Sequence, residues 1–221
     1  MEGWPLSGDN QIWIVDEHES SRVALCELIA TQDAYEVHCY SSAQRFLREA
    51  RVDEPAGVVL DLDFEEHNSY EVLAEIAEKK IRSTVITTTA RPSIESAVLA
   101  TQLGALTYLQ KPLNSEMVLH TLAQAIGVYK ARKQAVVEIQ EIQGRIDTLT
   151  PREREVLGMV VEGLSSKEIA ARLYLSAKTI SLHRAHIMKK MEARGVAHLV
   201  RMVLFVEPLS FCESKLGAVS A

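Results

Sequence analysis

The sequence predicts an α/β domain followed by an all-α domain. Three observations carry that expectation. Through residue 126, short apolar runs alternate with amphipathic segments; from residue 115 onward only helical patterns remain; and the sign of the charge changes between the two halves. The front half is expected to form a five-stranded, doubly wound parallel sheet. The back half is expected to form a four-helix unit, with a long linker helix between them. The expected boundaries are 10–127 for the first domain, 128–147 for the linker helix and 148–207 for the second domain. Residues 208–221 lack periodicity and read as a loose tail.

Each element has its own signal. Residues 12–15 (IWIV) form an apolar strand, and 20–30 a helix with Val23, Leu28 and Ile29 at helical spacing. A strand over 35–40 and a helix over 42–50 follow. Residues 57–61 (GVVLD) are an apolar strand ending in an acid, and 70–79 a helix. Residues 84–89 are β-branched and read as a strand; 93–103 is a helix closed by Gly104. A last strand, 106–109, precedes Lys111-Pro112, and Ser115 opens the next helix. Fully apolar strands alternating with helices imply a parallel sheet covered on both faces, with right-handed crossovers.

From Ser115 to about Thr148 there is no proline. Ile139, Ile142, Ile146 and Leu149 are spaced three, four and three apart, a seam that either meets a partner helix or packs on its own domain. Thr150-Pro151-Arg152-Glu153 is a capping box with proline at the first helical position, and Ser165-Ser166-Lys167-Glu168 is another. Gly163 between them is a C-cap. Ser176 caps a third helix, 177–192, and 196–206 is a fourth. Two short helices joined by a tight turn, the second long and basic, form a helix-turn-helix pattern.

Composition narrows the function. The chain has 221 residues, 47% hydrophobic and 24% charged, which excludes collagen-like and wholly disordered chains. No apolar run approaches a membrane span, and the first ten residues carry no secretory signal; a cytoplasmic protein is expected. Cys26, Cys39 and Cys212 are scattered and read as reduced thiols rather than a disulfide framework or zinc site. The net charge is −6. To residue 126 there are 20 acids and 9 bases; from 127 there are 10 acids and 15 bases; 164–201 alone has 8 bases and 2 acids. A basic back half suits an anionic partner, although basic helices also occur simply as solvated faces.

In an open parallel sheet, ligands bind beyond the carboxyl ends of the strands. Asp16, Asp61, Thr89 and Lys111 fall there. Asp16, Glu17 and Asp61 should converge, and clustered carboxylates call for a cation; Mg²⁺ is the natural hard ion. Metal, lysine and hydroxyl together neutralise three oxygens of a phosphoryl group placed on Asp61.

The pieces IVDE (14–17), VVLDLD (58–63), TTTA (87–90) and YLQKP (108–112) resemble the receiver domain of bacterial two-component response regulators, over about 11–126. The resemblance implies the flavodoxin-like receiver fold and Asp61 as phosphoacceptor. It implies Asp16 and Glu17 as metal acids with the Asp63 carbonyl as a further ligand, Thr89 and Tyr108 as the switch pair, and Lys111 as the phosphate-binding lysine. Where the family has Met-Pro and then Gly after the phosphoacceptor, this chain has Phe64-Glu65 and Ser69, and its 63–67 loop (DFEEH) is unusually acidic. A receiver that works without phosphorylation is therefore an alternative. VVLDLDFE also looks like the nucleophile motif of haloacid-dehalogenase-type phosphatases. That motif wants Thr or Val where Glu65 stands and sits on the first strand, not the third, so no enzyme is expected.

The stretch 149–202 is similar to the LuxR/FixJ-type helix-turn-helix. Ile180, Ile187 and Met191 share the core face of its third helix. Lys178, Leu182, Ala185 and Lys189 point the other way, with Ser181 beside them, and this face is expected to enter the major groove. Thr179, His183 and Lys190 lie on a flank suited to phosphate, Arg184 is nearer the core, and Ser165 opens the second helix as a further DNA contact. Together the two resemblances imply a transcription regulator switched by phosphorylation. Its partners would be double-stranded DNA, a sensor histidine kinase, a second copy in the active state and RNA polymerase, with no membrane.

Overall fold

The computed structural model describes residues 8–49, 55–64, 68–79 and 81–206. The expected tail, and residues 65–67 of the acidic loop, lie outside them. The chain divides into two compact units at Lys133/Gln134.

The first unit alternates β1 (Gln11–Val15), α1 (Glu19–Ala30), β2 (Glu36–Tyr40), α2 (Ala43–Glu49), β3 (Gly57–Asp61), α3 (Ser69–Glu78), β4 (Thr84–Thr89), α4 (Ile94–Gln102) and β5 (Ala105–Gln110), followed by α5 (Ser115–Asp147). All strand pairs are parallel, in the order β2-β1-β3-β4-β5. Successive side chains of a strand face opposite sides. Trp13, Val15, Val58 and Leu60 accordingly join Phe46 of α2 and Val72, Leu73 and Ile76 of α3. Ile12, Ile14 and Val59 join Leu25 and Ile29 of α1 and Leu122 and Ile126 of α5 on the other side. The strands are apolar throughout because both faces are covered. This reversal of winding direction beside β1 and β3 leaves a crevice at their carboxyl ends.

One expectation fails here. Cys26 of α1 and Cys39 of β2 are joined as a disulfide across 13 residues. The sequence shows no spacing signal because the pairing arises only when α1 folds back beside the edge strand.

The second unit contains the end of α5, then α6 (Pro151–Val161), α7 (Ser166–Leu173), α8 (Ala177–Lys190) and α9 (Val196–Val206). Both capping boxes form as expected, and the Ser176 side chain accepts from Thr179 N–H. Gly163 adopts φ +88°. Leu164 N–H then reaches back to the Met159 carbonyl at 3.0 Å, closing α6 with the left-handed residue that glycine tolerates best. Ile142, Ile146 and Leu149 are buried with Val156, Ile169, Ile180 and Ile187. The seam on α5 thus packs on its own unit. The turn between α7 and α8 has Tyr174 in the left-handed region, the residue 96% exposed.

Candidate functional site

The crevice is built by four loops. Asp16 follows β1, Asp61 ends β3, Thr89 ends β4 and Lys111 follows β5. Asp16 and Asp61 are each 1% exposed. Lys111 Nζ lies 3.0 Å from Asp16 Oδ2 and 3.0 Å from Asp61 Oδ1. Each carboxylate therefore has a second oxygen turned away from the lysine. Asp16 Oδ1 accepts from the His18 backbone N–H at 2.8 Å. Asp61 Oδ2 is buried with no hydrogen-bond partner among the described residues. Arg22, one turn into α1, donates to the Asp16 and Glu17 carbonyls at 2.8 and 3.1 Å and fixes the loop that presents them.

Electrostatics follow from this packing. Burial, then the Asp16 charge, raises the Asp61 carboxyl above its ordinary value, with Lys111 opposing. Burial works against the Lys111 charge, but the hydrogen bonds it donates to both carboxylates outweigh it and hold its pKa above the usual value. A buried carboxylate oxygen without a partner, beside a second buried carboxylate, is unfavourable unless a cation completes it. The pocket thus fits a divalent cation.

Not every expected residue converges. Asp16 and Asp61 do, and His18 joins them, their ligand atoms within 4.8 Å of one another; Glu17 is not in that group. The Asp63 carboxylate faces the β4–α4 loop instead. It accepts from the Thr89 hydroxyl at 2.9 Å, from Ala90 N–H, and from Arg91 Nε at 3.2 Å. These partners outweigh its burial and lower its pKa. The Thr88 hydroxyl, rather than that of Thr89, lies 3.5 Å from Asp61. The Tyr108 hydroxyl meets Ser96 Oγ at 2.7 Å, and Ser96 also belongs to the capping box of α4. His18 is not among the residues expected from sequence; its place directly after Asp16-Glu17 is the signal that could have found it. Arg91 and Ser96 carry no sequence signal, because their roles depend on loops meeting across the sheet.

On α8, Ile180 and Ile187 are buried while Lys178, Ser181, Leu182, Ala185 and Lys189 are exposed, the face expected from periodicity. Ser165 is exposed at the start of α7; Thr179, half-buried, shares a hydroxyl contact of 2.8 Å with Ser176; His183 is half-buried. Two basic residues are already engaged. Arg184 donates to the Leu164 carbonyl at 3.4 Å. Lys190, expected among the phosphate contacts, pairs with Glu153 at 2.6 Å and donates to the Thr148 carbonyl at 3.2 Å. Helical position alone puts Lys190 on an exposed flank. The Glu153 carboxylate of the capping box, 37 residues away, draws it inward.

Residues 12–123 match the response regulator receiver domain, and residues 147–203 the bacterial regulatory proteins of the luxR family. This chain is a response regulator of the FixJ/LuxR type. It is 33% identical over 196 residues to the transcriptional regulatory protein FixJ of Rhizobium meliloti, covering 89% of this chain and 96% of that one. Nodulation protein W of Bradyrhizobium diazoefficiens is 30% identical over 86% of this chain and 84% of its own length. Among solved structures, the response regulator StyR superposes with TM-score 0.73 at 28% identity, over 87% of this chain and 97% of its own. Full-length FixJ from B. japonicum superposes with TM-score 0.56 at 28% identity, over 90% and 98%. The response regulator is a transcription regulator switched by phosphorylation, not an enzyme. Its two domains imply a histidine kinase and DNA as partners. No helix among the described residues is long and apolar enough to cross a membrane.

Proposed function

We propose that Asp61 is the phosphoacceptor of a cytoplasmic receiver domain (10–127), joined through α5 to a DNA-binding domain (148–207). The observation that carries this reading is Asp61 Oδ2: buried, without a hydrogen-bond partner among the described residues, and opposite the oxygen held by Lys111. The Asp61 carboxylate attacks the phosphorus of a kinase phosphohistidine; the P–O bond forms as the P–N bond breaks. Asp16, Glu17, Asp61 and the Asp63 carbonyl are the residues that would hold Mg²⁺, which would neutralise phosphoryl oxygens when bound.

The phosphoryl group adds about −1.5 to −2 charges beside Lys111. Lys111 then shifts from the Asp16–Asp61 bridge toward phosphoryl oxygen. Thr89 must release Asp63 to reach the same group, and Tyr108 must release Ser96 to turn inward. Each hydrogen bond given up costs about 1 kcal/mol, within the roughly 1–3 kcal/mol of a typical allosteric coupling. The phosphorylated state favours a homodimer. Its paired α8 helices read half-sites about one DNA turn apart, with RNA polymerase as the downstream partner. Lys178, Ser181, Leu182, Ala185 and Lys189 face the bases. Ser165, Thr179, His183 and Arg184 lie where the backbone passes, and Lys190 serves the fold.

Incubation with Mg²⁺ and a small phosphodonor, followed by intact mass, tests the assignment. The expected result is a stable adduct of about 80 Da in the wild type and none in Asp61→Asn. An adduct that survives in Asp61→Asn moves the phosphosite, and no adduct in the wild type removes it.

A further inference from the structure

The geometry points to His18 as a further protein ligand of the receiver cation, beside Asp16 and Asp61, making this a mixed nitrogen–oxygen site that prefers a transition ion such as Mn²⁺ over Mg²⁺. The inference rests on the reading of the crevice as a cation site. Lys111 occupies one oxygen of each buried carboxylate, Asp16 Oδ2 and Asp61 Oδ1. The oxygens left over, Asp16 Oδ1 and Asp61 Oδ2, face the same side. His18 Nδ1 stands against both, at 3.5 and 3.6 Å. The three atoms form a small triangle with a gap an ion would fill, and one corner is an orphaned buried oxygen.

The backbone holds the imidazole there. The His18 N–H donates to Asp16 Oδ1, and Arg22 pins the carbonyls of Asp16 and Glu17 just before it. His18 is itself half-exposed, and it lines a cavity of about 410 Å³ with Ser20, Ser21, Asp63, Arg91 and Lys111, which gives an ion an entry path. Carboxylates alone suit hard ions such as Mg²⁺. An imidazole shifts preference toward first-row transition ions, along the order of increasing affinity from Mn²⁺ upward. A competing role for the same contacts is that a protonated His18 serves as a second counter-ion beside Lys111. That role predicts the opposite response, since its removal would strengthen binding of every cation.

Calorimetric titration of the full chain with Mg²⁺ and with Mn²⁺ separates the two. In His18→Ala, Mn²⁺ affinity is expected to fall about tenfold while Mg²⁺ affinity changes little. Pulsed electron paramagnetic resonance of bound Mn²⁺ should show nitrogen coupling in the wild type and lose it in the variant. Equal changes for both ions, or tighter binding of both, overturn the ligand role. Mn²⁺ and Mg²⁺ binding undiminished in Asp61→Asn overturns the cation site itself, and the inference with it.

Discussion

Replacing Lys190 by alanine is expected to destabilise the DNA-binding unit rather than loosen its hold on phosphate. The Glu153 carboxylate is 4% exposed, and Lys190 Nζ lies 2.6 Å from it. Lys190 first, then the Thr150 N–H, hold this carboxyl at about 2 instead of its ordinary 4.5. At about 1.4 kcal/mol for each tenfold change in proton affinity, these partners together stabilise the fold by roughly 3 kcal/mol. Lys190 supplies the largest share, but its side chain is 35% exposed and partly screened. Its loss is therefore expected to cost about 2 kcal/mol. In a unit of this size that lowers the thermal midpoint by roughly 8–16 °C. Because the folded carboxyl is depressed, its stabilisation is fully present above about pH 4.5 and is lost as pH falls toward 2. In Lys190→Ala the carboxyl returns toward its ordinary value, so the acid limb of the stability curve should flatten. The assay is circular dichroism melting of a 134–221 fragment from pH 2 to 7, with DNA binding followed against salt. Below the melting range the salt slope should match the wild type. An unchanged midpoint together with a slope smaller by about one ion would refute the pairing and restore Lys190 as a phosphate contact.

Three further outcomes are expected. Lys111→Ala should still accept a phosphoryl group but lose the proposed phosphorylation-dependent shift to dimer, because the cation proposed to read the new charge is gone; light scattering with and without phosphodonor would show a normal shift if the lysine were idle. A fragment starting at 148 lacks Ile142 and Ile146, which are 3% and 7% exposed. At roughly 1.5–3 kcal/mol for each buried side chain, it should unfold at clearly lower urea than one starting at 134, and equal midpoints would detach α5 from this core. Alkylation without reductant, read by intact mass, should leave Cys26 and Cys39 unlabelled until a reductant is added; labelling of both beforehand would rule out the bridge.

Much of this regulator was legible in one dimension because much of it is local. The alternation of apolar strands with helices set the parallel sheet, since a strand buried on both faces must be apolar along its length. The capping boxes at Thr150 and Ser165, the Gly163 stop and the exposed face of α8 depend on neighbours within four residues, and periodicity reads those directly. The placement of Asp16, Asp61, Thr89 and Lys111 at neighbouring strand ends was also readable, because strand ends in an open sheet share one edge.

What the sequence left open depends on contacts between distant segments. Lys190 has the same helical position whether or not Glu153 waits 37 residues away, so only packing turns it from the surface into an ion pair. Cys26 and Cys39 meet because α1 returns alongside β2. Asp63 and Thr89 bond across 26 residues, and Tyr108 finds Ser96 where β5 passes the start of α4. The direction of a side chain at a loop is set by which loops the sheet brings together. Residue type and spacing supply the chemistry of this regulator, while long-range packing chooses the partner of each charged and hydroxyl group.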